Sequence, residues 1–256
     1  MTTNVQIHTG NILNLPELKL QTADKEFSES IRITLEEKYG KDSEKIEDEI
    51  AKLSSSNILE INRGSPFATV SADDIKNSRT SVKIFVKSCE PEHLKQAIDY
   101  IFKYLEIETV DTVILAYTDS RIKEKSQEEL LLELNTLWTV LETLVDDKKI
   151  SRIGLSDLHE DTFIQFYSTA KVKPSMIQIN LSSCCVVPPV LQEFAKSNVI
   201  QLITHSDPID ILYQTPVLSK TKNVSLLWAG KYQTHVVCRG VLVSKGYIVC
   251  TQVEAE

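Results

Sequence analysis

Residues 81–117 read SVKIFVKSCEPEHLKQAIDYIFKYLEIETVDTVILAY, a strand, a helix and a second strand in one pass. Ser81–Val86 is a short β-branched and aromatic run. Leu94, Ala97, Ile98, Ile101, Phe102 and Leu105 then recur at helical spacing and make one apolar stripe. Asp111–Tyr117, DTVILAY, is almost continuously apolar, the pattern of a strand buried on both faces. A strand followed by a crossover helix and another buried strand predicts a βαβ unit with parallel strands.

The rhythm continues downstream. Ser126 and Glu129 form a capping box before a helix running to Val145. Strands follow at Ile150–Leu155, Met176–Asn180 and Val199–Thr204, separated by helices around 163–170 and 189–197. An open doubly wound sheet and a closed barrel both satisfy this alternation. The GxGxxG phosphate fingerprint of the open sheet is absent from a chain with only 7 glycines, which tilts the choice toward the barrel.

The flanks are less regular. Residues 5–15 suggest one or two short strands, 26–39 a helix capped by Ser28 or Ser30, 42–53 a charged helix with Ile46, Ile50 and Leu53 on one face, and 57–62 a strand. Residues 63–80 are polar and turn-rich and predict a loop. Beyond Pro208, four short strand-like runs (224–228, 235–238, 240–243 and 247–253) suggest either imperfect closure of a barrel or a small antiparallel element in place of the usual end, with a strand edge open to a partner strand. The whole is expected to form a single domain over residues 1–256, irregular over 1–80 and 209–256.

Composition bounds the function. With 256 residues, 42% hydrophobic and 25% charged, the chain suits one large α/β domain. A net charge of −8 without a basic cluster argues against nucleic acid and anionic membrane surfaces. Five cysteines without a CxxC pair point to a reducing compartment, and neither a leader nor a spanning segment is evident, so a cytoplasmic location is expected.

Three signals in order carry a resemblance. Thr136–Leu158 reads TLWTVLETLVDDKKISRIGLSDL, ending in an I-G-x-S strand; Pro174–Asn180 reads PSMIQIN; Thr204–Pro208 reads THSDP. Together they resemble the aldo-keto reductases over roughly residues 80–210, which implies a (β/α)8 TIM-type barrel with an irregular or incomplete C-terminal end. A narrower match runs end to end through 5–14, 154–158, 178–189, 204–208 and 244–248. On it the chain is similar to the regulatory (modifier) subunit family of glutamate–cysteine ligase. That resemblance implies a non-catalytic partner of the ligase's catalytic subunit, in a heterodimer that uses glutamate better and is less inhibited by glutathione. The alternative is an NADPH-dependent aldo-keto reductase with a degenerate active site.

Reductase chemistry puts a proton on a developing alkoxide, using Tyr, Lys, Asp and His at strand ends. The Lys position falls on Lys83. The His position falls on Ala116, with Tyr117 pointing to the opposite face. No Tyr or Asp occurs near residues 59–67. No catalytic residue is therefore assigned, with Lys83 a vestige of the tetrad. For the cofactor, the resemblance places Ser156, Gln178 and His205 at nicotinamide-contacting positions, as a vestigial NADPH site or as groups bonded within the barrel mouth. Asp157 stands where an Asn is usual, and a carboxylate cannot donate to a carboxamide. Ser244-Lys245-Gly246 resembles what is left of a 2′-phosphate site.

Other clusters favour plain structural roles. Cys89 and His93 have CxxxH spacing without a second pair, so no metal site is expected. Vicinal Cys184 and Cys185 suit a buried strand end better than a redox pair, and Trp138 falls at core spacing.

Overall fold

A computed structural model describes residues 2–40, 43–52, 58–119, 121–122, 124–180, 187–214 and 223–254. Strand β1 (Thr2–His8) leads through two 3-10 turns to helices α1 (Ala23–Tyr39) and α2 (Ser43–Ala51), then strand β2 (Ile58–Asn62). The βαβ rhythm follows: α3 (Ala72–Lys76), β3 (Ser78–Val86), α4 (Pro91–Leu105), β4 (Val110–Tyr117), α5 (Gln127–Asp146), β5 (Ile150–Ser156), α6 (Glu160–Thr169), β6 (Met176–Asn180), α7 (Pro189–Ser197) and β7 (Gln201–His205). Two long strands, β8 (Val224–Val236) and β9 (Val241–Glu254), complete the chain.

The strands form one nine-stranded sheet in the order β2-β1-β9-β8-β3-β4-β5-β6-β7. From β3 to β7 every pairing is parallel, as the alternation predicts. The β8–β9 hairpin lies between β1 and β3 and is antiparallel to both. Among the described residues no ladder joins β2 to β7, so the irregularity expected at the C-terminal end takes the form of this inserted ribbon. The fold is mixed α/β, as the alternation predicts.

The hairpin corrects the reading of the tail. Four expected runs are two continuous strands, because Lys231, Gln233 and Lys245 interrupt the apolar pattern where they face a cavity rather than a turn. The tail presents no free edge either, since β9 is paired on both sides. The outer strands of the ladder are β2 and β7.

Local chemistry accounts for most other boundaries. Pro91 opens α4, where a missing N–H costs nothing, and Glu106 closes it in the left-handed region. Ser126 and Glu129 form the expected capping box on α5. Helix α1 starts three residues before the expected position, at Ala23 after Thr22. Ser28 and Ser30 therefore lie inside it, donating to the carbonyls of Lys25 and Phe27 instead of capping. The presumed loop 63–80 holds α3, capped by Ser71, and the first residues of β3. Those first residues pair with β8, a partner that no local pattern reveals. Strand β7 starts after Val199, which sits at φ 56° and ends α7. Ile46 and Ile50 are buried on α2 as expected; Leu53, Cys184 and Cys185 lie outside the described residues.

The sheet divides two cores. Helices α4–α7 cover one face with Val82, Ile84, Leu115, Trp138, Phe163 and Trp228 among the buried residues. The other face meets α1, α2 and the turn at Ile211–Tyr213 through Val5, Ile7, Phe27, Phe85, Ala116 and Tyr247. Each such large side chain contributes roughly 1.5–3 kcal/mol on burial. Where β9 crosses the turn after β1, Gly246 is obligatory: a Cβ there would collide with the Gly10 carbonyl and the Tyr232 hydroxyl. That hydroxyl donates to Gly10 O at 2.6 Å.

Candidate functional site

Lys83 sits in mid-β3, directly opposite Ile114 on β4 and Lys231 on β8. Two like charges facing each other across a ladder repel. They are reconciled by Asp207, just past β7, whose carboxylate accepts from Lys83 Nζ at 3.0 Å and from Lys231 Nζ at 2.6 Å. Lys83 and Asp207 are each only 5% exposed. The His205 ring lies 3.2 Å from Lys83 Nζ, and its Nε2 is 2.9 Å from Asp157 Oδ1. Ser156 Oγ donates to Asp157 Oδ2 at 2.7 Å. Six groups on or just after four strands thus form one connected cluster.

The backbone explains why these residue types stand here. Asp157 follows β5 at φ 60°, a left-handed conformation that Asn and Asp tolerate best after Gly. Its N–H donates to the Gln178 carbonyl and its Oδ1 accepts from the Asn180 N–H at 2.8 Å, stitching β5 to β6. Gly154, two residues before Ser156 in the I-G-x-S strand, lies against Met176, and any Cβ would strike that side chain and carbonyl. The signature is therefore a close β5–β6 approach followed by a left-handed polar residue.

Electrostatics tie the cluster together. Burial pushes the Lys83 ammonium down, and Asp207 and Asp157 only partly restore it. Burial also works against His205 protonation, but its hydrogen bonds to Asp157 and Asp207 raise it above the ordinary imidazole value. The two bases converge in proton affinity. Burial favours protonated carboxyls, yet bonds to His205 and the charge of Lys83 hold Asp157 low, and Lys231 adds to the same effect at Asp207.

The cluster borders a cavity of about 440 Å³ between the sheet and the start of α1. Gln178 lines it, as do Lys83 and His205, so three of the four residues singled out from sequence converge there; Ser156 reaches it through His205. The buried Oε1 of Gln178 accepts no hydrogen bond among the described residues. Lys245 also lines the cavity and pairs with Glu26 of α1 at 2.5 Å. The Ser244-Lys245-Gly246 stretch, read as what is left of a 2′-phosphate site, is engaged within the protein: Ser244 is buried and donates to the Pro66 carbonyl, Lys245 turns to Glu26, and Gly246 lies under Gly10. Sequence reasoning missed Asp207, Lys231 and Glu26. Asp207 stands inside the THSDP stretch without being singled out there, and Lys231 in its strand-like run is too ordinary to single out.

The tetrad positions can be placed as well. Ala116 is buried in the apolar core beside Phe85. Tyr117 faces the other way, its hydroxyl donating to Glu133 at 2.9 Å. At the end of β2, Asn62 bonds to His8 and accepts from the Gly64 N–H. His93 is bonded to Ser88 at 3.0 Å.

Comparison with known proteins is consistent with this geometry. The aldo/keto reductase family matches residues 67–210. The glutamate–cysteine ligase regulatory subunit of Mus musculus is 32% identical over 255 residues, covering 96% of this chain and 91% of its own. Its Homo sapiens counterpart is 33% identical over 258 residues with the same coverage. A solved aldo/keto reductase of Brucella melitensis aligns over 72% of this chain and 64% of its own at 14% identity and a TM-score of 0.39, and no conclusion rests on it.

Proposed function

The chain belongs to the aldo/keto reductase family and is a homologue of glutamate–cysteine ligase regulatory subunits, and from that premise we propose that it is a non-catalytic regulator of such a ligase. Similarity to regulatory subunits along 96% of the chain carries this reading. In it, the chain forms a cytoplasmic heterodimer with the catalytic subunit, improves the use of glutamate and relieves inhibition by glutathione. Thermodynamically, the chain must bind the competent state of its partner more tightly than the inhibited one, by about 1–3 kcal/mol.

The site's chemistry supports loss of reductase activity. Lys83 is engaged by Asp207 rather than by a tyrosine, and Ala116 offers no proton. Each missing proton-transfer group costs about 10²–10⁴ in rate. A nicotinamide dinucleotide fits the residues poorly. Ser156 directs its hydroxyl to Asp157, Asp157 has no proton to give, and His205 is clamped between two carboxylates. No step is assigned to NADPH, and Ser156, Gln178 and His205 act in this reading as structural groups.

Co-expression with a catalytic subunit tests the proposal. The two chains are expected to co-purify, with a lower KM for glutamate and a higher glutathione concentration for half-inhibition. Absence of association, together with NADPH-dependent carbonyl reduction and saturable NADPH binding, overturns it.

A further inference from the structure

On the face of the sheet that α4–α7 cover, strands β3–β5 and the β8–β9 hairpin present apolar side chains such as Val82, Leu115, Ile153, Trp228 and Ile248. Strand β1 does not. Its side chains alternate between the faces. Val5 and Ile7 join the apolar core under α1, while Asn4, Gln6 and His8 turn the other way, His8 onto Tyr104 of α4. Gln6 and His8 are fully buried. Asn4 Oδ1, both amide atoms of Gln6 and His8 Nε2 have no hydrogen-bond partner among the described residues. Opposite Gln6 on β9 stands Cys250, whose thiol is a weak hydrogen-bonding group. Each unpaired group forfeits the water it bonded in the unfolded chain, so docking β1 is penalised at three successive inward positions.

The topology puts this penalty at a seam. β1, α1, α2 and β2 are contiguous from Thr2 to Asn62, and β2 and β1 are the outer pair at one edge of the sheet. Among the described residues, the ladder of Thr2–His8 against Ile248–Glu254 is the only one joining them to the other strands. The unit is held by its other face, where Val5, Ile7, Phe27 and Ile31 share a core with Tyr247 and Val249. Glu26 adds bonds from Tyr247 and Lys245, and the turn at Thr9–Asn11 bonds to the carbonyls of Tyr247 and Val243. Proteins open locally in contiguous units of this kind, and the least stable unit opens first. We propose that residues 2–62 swing off the β9 edge as one unit while β3–β9 keep their structure. The open form hydrates Asn4, Gln6 and His8 and uncovers the thiol of Cys250, which is 0% exposed when closed. It also removes Ala23 and Glu26 of α1 from the wall of the cavity that holds Lys83 and Asp207, so the motion gates the candidate site. The gate does not rest on the regulatory role, and its failure leaves that role untouched.

Hydrogen exchange of the full chain at fixed pH and increasing urea, read on peptide masses, tests it, together with iodoacetamide labelling of the peptide that carries Cys250. Amides of β1 and β2 should exchange, and Cys250 should be labelled, through one shared opening. That opening should be about tenfold or more populated than the one reaching β4 and β5, with a smaller urea dependence because less surface is exposed. Gln6→Met removes two unpaired atoms at similar volume and should slow both β1 exchange and Cys250 labelling about fivefold. Ile153→Val lies on β5, outside the unit. It should speed exchange of β4 and β5 severalfold and leave β1 and Cys250 unchanged, which a single global opening does not allow. Exchange of β1 and β5 at one common population and urea dependence overturns the proposal. So does Cys250 labelled only on global unfolding, or labelling indifferent to a folded Gln6→Met variant.

Discussion

Polar groups are buried on both faces of the same sheet, and the two faces treat them in opposite ways. Under α1, Lys83, Lys231, Asp157 and Asp207 are held in ion pairs, and His205 is bonded to both carboxylates. Under α4, His8 is fully buried, stacks 5.1 Å from the Tyr104 ring and bonds through Nδ1 to Asn62, while its Nε2 has no partner among the described residues. Burial, only partly offset by the Asn62 bond, pushes His8 down to about 4, so it stays neutral. One face keeps charge by pairing it, and the other removes charge by desolvation. The first arrangement retains a polar cavity, whereas the second retains a packed core.

The largest expected effect breaks the paired face. Asp207→Ala leaves Lys83 and Lys231 facing each other without their shared counterion. Unfolding in urea should show a loss of about 3–5 kcal/mol. Lys171→Ala, removing an exposed pair with Asp146, should leave the unfolding midpoint close to that of the parent. Equal effects for the two variants would mean that burial does not distinguish these ion pairs.

Acidification probes the unpaired face. The folded value of His8 is below the unfolded 6.5, so the unfolded chain binds the extra proton first. The stability contributed by neutral His8 is complete above pH 6.5 and is lost as the pH falls toward about 4, amounting to about 3 kcal/mol. His205 has the opposite sign: raised in the folded state, it contributes below its unfolded value, and that contribution is lost as pH rises through the folded one. Denaturant midpoints across pH should therefore flatten on the acid side in His8→Leu and on the alkaline side in His205→Gln. The reverse assignment would contradict the contrast between the faces.

The smallest effect sharpens the comparison. Gln6, beside His8 on the same face, is fully buried with neither amide atom in a well-formed hydrogen bond among the described residues. Gln6→Met should stabilise the chain by about 1 kcal/mol, read as a higher denaturation midpoint. Destabilisation instead would show that this amide is satisfied in solution.

Much of the parallel half was legible residue by residue. Leu94 to Leu105 recur on one helix face, Ser126 and Glu129 cap α5, and DTVILAY is doubly buried, because helices and buried strands write their periods within a few neighbours. Lys83, Ser156, Gln178 and His205 also belong to short motifs on those strands. Lys83, Gln178 and His205 line the cavity, and Ser156 joins them through His205.

Tertiary structure alone decided the rest. The insertion of β8 and β9 between β1 and β3 depends on ladders that join Thr2 to Glu254 and Ser78 to Val236, and neither partner carries a local mark of the other. Lys83 and Asp207 stand 124 residues apart, yet share one hydrogen bond. Local sequence encodes period and turn chemistry through neighbours a few residues apart. Convergence of charges into one cavity is set by strand order, and strand order follows from packing the whole sheet.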